Sequence, residues 1–159
     1  MWQLLAKIAG GGVAVLFVLF CLHWLQIRWT GAPDNLGVTA EGKLAPCPDS
    51  PNCVTTQGGN TAYQQMNPLS FEGDVSEVSD QLIRIVEGMP NTTIITDDNS
   101  YIHAEFRSPT MGYVDDVEFY IDEEEKLIHF RSKARLGYGD MGANRERMKT
   151  ISRQFMAGE

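Results

Sequence analysis

This chain lacks most of what declares a function at first reading. It has no excess of positive charge: 13 Lys and Arg stand against 21 Asp and Glu, a net charge of -8. The basic stripe that a duplex-binding protein presents is missing, so nucleic acid is not an expected partner. There are three cysteines, with no second pair to complete a zinc site and no Cys-x-x-Cys spacing to suggest a redox centre. No Ser-His-Asp or Cys-His set declares itself, and there is no internal repeat or low-complexity tract. At 159 residues the chain is too short for two full domains and accommodates one modest core. These features call for no cofactor and no metal.

What is present begins with an apolar run. Ile8 to Ile27 carries no formal charge and is bounded by Lys7 and Arg28. At a rise of about 1.5 Å per residue such a helix just crosses a hydrocarbon core of about 30 Å. Trp24 and Trp29 suit an interfacial belt. No Ala-x-Ala cleavage site follows, and Phe20 before Cys21 is too large for a lipoprotein signal. The run therefore predicts an uncleaved, single-pass transmembrane anchor over 1–29, with Cys21 as a small apolar filler. One basic residue on each side leaves its orientation undecided. Residues 30–45 contain Gly31, Pro33, Asn35, Gly37 and Gly42 without periodicity and read as a linker. Residues 46–157 read as a soluble α+β domain.

Cys47 and Cys53 bracket Pro48, Asp49, Ser50, Pro51 and Asn52. Two prolines and an Asn make a turn that can bring the sulfurs together. A disulfide is favoured over a thiolate metal site or a redox pair, and closing so short a loop contributes about 2 kcal/mol in the chain-entropy picture. It also points to an oxidising compartment.

Leu69 and Phe71 suggest a short strand. Val75, Val78, Leu82, Ile85 and Val86 follow helical spacing, with Asp74 as N-cap and Gly88 near the stop. Thr92 to Thr96 is β-branched and reads as a strand. Three runs then alternate strictly. His103, Glu105 and Arg107 alternate with Ile102, Ala104 and Phe106. Asp116 and Glu118 alternate with Val117 and Phe119, and His129, Arg131, Lys133 and Arg135 with Ile128 and Phe130. Ala143, Met148, Ile151 and Phe155 mark a terminal helix. The β-α-β4-α order predicts an antiparallel sheet of about five strands with two helices on its one oily face.

The other face of that sheet would be ionic. His103, Glu105, Asp116, Glu118 and His129 share it as candidate polar-face residues, enough for a metal or an acid–base pair. Cross-strand ion pairs such as Glu118–Arg131 and Asp116–Lys133 are the simpler outcome. Asp115 points the other way, toward the helices, and needs a partner such as Arg145 or Arg135. Gly137 to Gly142 matches G-x-G-x-x-G, but no second parallel strand follows, so it reads as a tight turn with Asp140 capping the helix. Asn144 and Arg145, with amides at a helix start, suit a carboxylate or phosphate.

Four runs carry a family resemblance. Cys47 to Val54 (C-P-D-S-P-N-C-V) resembles the opening signature of the bacterial and plastid family called domain of unknown function 1499. His103 to Ser108, Val114 to Phe119, and Arg131-Ser132 through Arg135, Gly137, Asp140, Gly142, Asn144 and Arg145 are similar to its later marks. The resemblance spans about Leu44 to Phe155. Ala134 stands where the family often has Ser. The order of elements also looks like the TATA-binding-protein-like fold, whose curved sheet leaves one face open. The resemblance implies site positions and no reaction.

Together these readings predict a membrane-anchored envelope domain in a bacterial inner membrane, its soluble part periplasmic. It would be non-catalytic and bind a protein partner or small anionic ligand on the ionic face, with Arg107, Arg131, Arg135, Asn144 and Arg145 as contacts. The alternatives are an envelope hydrolase or metal-dependent enzyme using the carboxylates and histidines of the same face, and a scaffold for a membrane complex.

Overall fold

Strict alternation along the chain resolves into one antiparallel sheet. The computed structural model describes residues 2–28 and 30–158, with side chains described over 12–27 and 30–158. The order is α1 (Trp2–Arg28), β1 (Cys53–Thr55), β2 (Leu69–Ser70), α2 (Val75–Glu87), β3 (Thr92–Asp97), β4 (Tyr101–Arg107), β5 (Val114–Asp122), β6 (Leu127–Ala134) and α3 (Ala143–Ala157). The sheet runs β1-β6-β5-β4-β3, with β2 also paired to β6. The sheet thus has six strands where about five were expected. The addition is β1, whose three residues are too few to show a period.

The register places Glu118 opposite Arg131 and Asp116 opposite Lys133, so the ionic residues of β5 and β6 other than Asp115 fall on one face. The opposite face carries Ile102, Ala104, Phe106, Val117, Phe119, Ile121, Ile128 and Phe130. Val78, Leu82, Ile85 and Val86 of α2 and Met148, Ile151 and Phe155 of α3 pack on it. Each such large side chain contributes roughly 1.5–3 kcal/mol on burial, so this layer holds the helices to the sheet. Asp74 is the N-cap of α2, as its position suggested, but its side chain makes no capping hydrogen bond.

The expected anchor is corrected. Among the described residues no helix is long and apolar enough to cross a membrane. Side chains of α1 are described from Gly12 to Ile27. The end of that stretch also turns toward the domain: Ile27 is 1% exposed, and His23 Nε2 lies 3.3 Å from the Tyr113 hydroxyl. The transmembrane helix, the membrane as partner and the single-pass, inner-membrane and periplasmic location are therefore withdrawn. Trp29 and the side chains of Lys7, Ile8, Gly10, Gly11 and Arg28 lie outside the described residues.

Residues 30–45, read as a linker, lie along the ionic face. The Gly37 amide donates to Glu118 Oε1 at 2.8 Å, and the carbonyls of Thr30, Asn35 and Ala45 accept from Arg135 and Arg131. Val38 and Leu44 bridge to each other, and Leu44 is buried. Gly37 adopts a φ of +103°, which a side chain would strain. The face that the fold analogy left open is closed by a strap.

Candidate functional site

Two polar networks flank the sheet, one on each face. Under the strap, Glu118 and Arg131 are 0% and 1% exposed. Arg131 Nε donates to Glu118 Oε2 at 2.7 Å, and the Tyr101 hydroxyl donates to Glu118 Oε1 at 2.8 Å. Burial, reinforced by the Glu118 charge, pushes the Tyr101 phenol well above its ordinary pKa. Beside this pair, His103 Nε2 lies 2.8 Å from Asp116 Oδ1. Arg135 donates through Nε and Nη2 to both oxygens of Asp116 at 2.8 and 2.6 Å, and through Nη2 to Glu105 Oε1 at 2.5 Å. Arg107, exposed at the end of β4, donates to Glu105 Oε2 at 2.7 Å. Burial pulls the Asp116 carboxyl upward, but the bonds from Arg135 and His103 outweigh it and hold it below the usual range. Bonding to Asp116 and Glu105 raises Arg135 in turn, against its own desolvation. The charges of these two groups are spent on one another and on strap backbone.

The second network lies on the helix side, at the end of the sheet where β5 begins and β6 ends. Asn144 in the first turn of α3 is fully buried. Its Nδ2 donates to the Asn52 carbonyl at 3.2 Å and to Asp140 Oδ2 at 2.8 Å. Its Oδ1 accepts from Ser132 at 2.5 Å and from Arg147 Nη1 at 2.6 Å. Asp140 takes the backbone N–H groups of Gly142 and Asn144, so it caps α3 from two residues before the N-cap Gly142. Asn52 donates to the Gly137 carbonyl at 2.6 Å, and the disulfide joining Cys47 to Cys53 fixes that turn beside β6. Arg147 Nη2 donates to Asp115 Oδ2 at 2.7 Å, with its guanidinium 4.5 Å from the centre of the Phe106 ring.

Asp115 borders a crevice of about 460 Å³ between the 108–113 and 136–141 loops, walled by Pro109, Met111, Tyr113, Leu136 and Met141. Burial raises the Asp115 carboxyl above the ordinary range; Arg147 pulls it back in part, and Asp140 and Asp116 push it further up. Its Oδ1 accepts no hydrogen bond among the described residues. The arrangement offers a largely apolar slot bordered by the Asp115 carboxylate.

The predicted residues thus separate. His103, Glu105, Arg107, Asp116 and Arg135 form one chain of bonds, and Glu118 with Arg131 a second. Asn144 lies on the opposite face. Arg145 points along the outer side of α3, where Nη1 donates to the carbonyls of Tyr63 and Gln65 and the guanidinium lies 5.3 Å from the Tyr63 ring centre. His129 stands apart, its Nδ1 3.2 Å from Thr56 Oγ1. With Asp122 and Glu125 it forms a group whose metal-donor atoms all lie within 4.8 Å of one another. Sequence reasoning missed Arg147 as the partner of Asp115. The signal was available, since Arg147 is three residues from Asn144 on the inward stripe of α3.

Residues 43–155 match the family described as "Protein of unknown function (DUF1499)". That match covers more than half of the chain, and the protein belongs to this family. Among curated proteins no match to the chain is found.

Proposed function

We propose that the domain is a non-catalytic binding module. Its ligand is a small molecule with an apolar body and a cationic or hydrogen-bond-donating end, held in the crevice between the 108–113 and 136–141 loops. The observation that carries this reading is the Asp115 carboxylate, with no hydrogen bond to Oδ1 among the described residues, bordering a largely apolar slot of about 460 Å³, within the usual range for small-ligand sites. Met111, Leu136 and Met141 would cover the body of the ligand, and Asp115 would accept its donor end. Arg147 would position Asp115 by holding the other carboxylate oxygen.

The ionic face offers less to a ligand. Arg131 and Arg135 already have carboxylate and carbonyl partners there. The His103–Asp116 pair that an acid–base enzyme needs is formed, but both residues are 3% exposed beneath the strap, away from any approaching substrate.

The test is an NMR titration with hexylamine and, in parallel, hexanoate. Hexylamine should shift the methyl signals of Met111 and Met141 and the ring signals of Tyr113; hexanoate should leave them in place. Asp115→Asn should weaken amine binding about 10- to 100-fold, because a hydrogen bond to a charged group contributes about 1.5–3 kcal/mol. Equal response to both compounds, or an unchanged affinity in Asp115→Asn, overturns the reading.

A further inference from the structure

At the far end of β5 and β6 from the crevice, the hairpin turn gathers a different set of donors. Asp122 ends β5, Glu125 sits in the turn and His129 lies in β6, an Asp-x-x-Glu-x-x-x-His spacing. The register pairs Tyr120 with His129 and Asp122 with Leu127, which puts Tyr120, Asp122 and His129 on one face. One oxygen or nitrogen from each of Asp122, Glu125 and His129 lies within 4.8 Å of the others.

Acidic residues in a turn are ordinary, and it is the histidine that sets this group apart. His129 is 7% exposed, and its ring stacks at 17° to Tyr120. Its Nδ1 is 3.2 Å from Thr56 Oγ1. That oxygen accepts the Phe130 amide at 3.0 Å and can direct its own proton to the Phe130 carbonyl at 3.4 Å. In that arrangement Nδ1 carries the ring proton and Nε2 presents a lone pair. Nε2 faces Glu125 Oε2 at 3.8 Å, beyond hydrogen-bond reach, and has no hydrogen-bond partner among the described residues. The ring of a largely buried histidine thus turns Nε2 toward Glu125, with an oxygen of Asp122 within 4.8 Å. With Nε2 unprotonated, the three groups present three acceptors within 4.8 Å of one another, an arrangement that a cation would bridge.

We infer that Asp122, Glu125 and His129 bind a late first-row divalent cation, through His129 Nε2 and one oxygen from each carboxylate. One imidazole with two carboxylates suits zinc or cobalt better than calcium or magnesium, which prefer all-oxygen sets. The surroundings already hold two of the ligands as such a site requires. Thr56 fixes the His129 ring through the nitrogen that does not ligate. Asp122 Oδ1 accepts the amides of Glu124 and Glu125 at 3.0 Å each, which fixes its carboxylate across the turn. Three protein ligands leave coordination positions for water or an exogenous group.

The experiment is titration of the full chain, with any affinity tag removed, by Co²⁺ followed in the visible spectrum, then competition by Zn²⁺ and by Mg²⁺. The expected result is one Co²⁺ per chain, displaced by equimolar Zn²⁺ and not by a hundredfold excess of Mg²⁺. The His129 ring signals should broaden with Co²⁺. Glu125→Gln, at an exposed turn position, should keep the fold and weaken Co²⁺ at least 10-fold; His129→Ala should abolish binding. Should His129→Ala fail to fold, Glu125→Gln and the His129 signals decide the matter alone. The proposal is overturned if no stoichiometric Co²⁺ binds at millimolar concentration, or if binding leaves the His129 signals and the Glu125→Gln affinity unchanged. It is equally overturned if His129 simply titrates as a protonated ring, with no response to metal.

Discussion

The two faces of this sheet are both buried, and by opposite means. One is covered by α2 and α3, whose Leu82, Met148 and Ile151 fill volume against Phe119 and Phe130. The other is covered by residues 30–45, which contribute mainly backbone: three carbonyls and one amide bonded to Arg131, Arg135 and Glu118. The helix face depends on packing, where a missing methylene leaves a cavity. The strap face depends on satisfaction, where a missing partner leaves a buried charge. The faces should therefore fail differently when cut.

The largest effect is expected on the strap face. Arg131→Ala leaves Glu118 fully buried with only Tyr101 and Gly37 as donors, and should cost about 3–5 kcal/mol in equilibrium urea unfolding. The double change Arg131→Met with Glu118→Leu should recover most of that loss, since it removes both charges at similar volume. A single-variant cost below about 1 kcal/mol would mean the pair is solvated, and the contrast between the faces would fall.

On the helix face, Leu82→Ala should cost about 2–5 kcal/mol by the transfer and cavity terms. What distinguishes it is locality. Amide hydrogen exchange at Gly37, whose N–H bonds Glu118, should quicken in Arg131→Ala relative to global unfolding. In Leu82→Ala it should follow global stability alone. If Leu82→Ala releases Gly37 as selectively, strap and core form one cooperative unit and the contrast is only chemical.

The sequence made one of these faces legible and half of the other. Alternation in Ile102 to Phe106 and Val117 to Ile121 named the oily face and the helices that cover it, because a period of two assigns side chains to faces directly. The same alternation named Glu118 and Arg131 as neighbours, and they bond at 2.7 Å. Alternation says which face a charge takes and nothing about whether a distant segment covers it. The strap has no period, and its grip runs through backbone atoms that every residue type shares. The partner of Asp116 was misjudged for a related reason. Register puts Lys133 opposite it, but the longer reach of Arg135 and the cross-strand His103 take its oxygens. β1 was missed because its one inward residue, Val54, gives no pattern. The crevice at Asp115 depends on two loops separated by β5 and β6, and that spacing has no sequence signature.

The smallest expected effect sets the two faces against each other at adjacent residues. Asp115 faces the helices and Asp116 the strap, and their carboxyls shift in opposite directions. Asp116 lies below its ordinary value, so it binds its proton less readily folded than unfolded. Its contribution to stability is present above the ordinary carboxylate pKa of about 3.9 and is lost as pH falls through the lowered folded value. Asp115 lies above its ordinary value, so its contribution is fully present below about pH 3.9 and is lost as pH rises through the raised folded value. Unfolding free energies measured from pH 7 to pH 2.5 should therefore show two opposed slopes, each at most about 1.4 kcal/mol per pH unit for one proton. Asp116→Asn should flatten the acid-side loss, and Asp115→Asn the decline toward neutral pH. The slopes are read rather than the absolute stabilities, because each variant also disturbs an arginine partner. Slopes of the same sign in the two variants would show that the faces do not treat a carboxylate differently, and the comparison between them would then rest on packing alone.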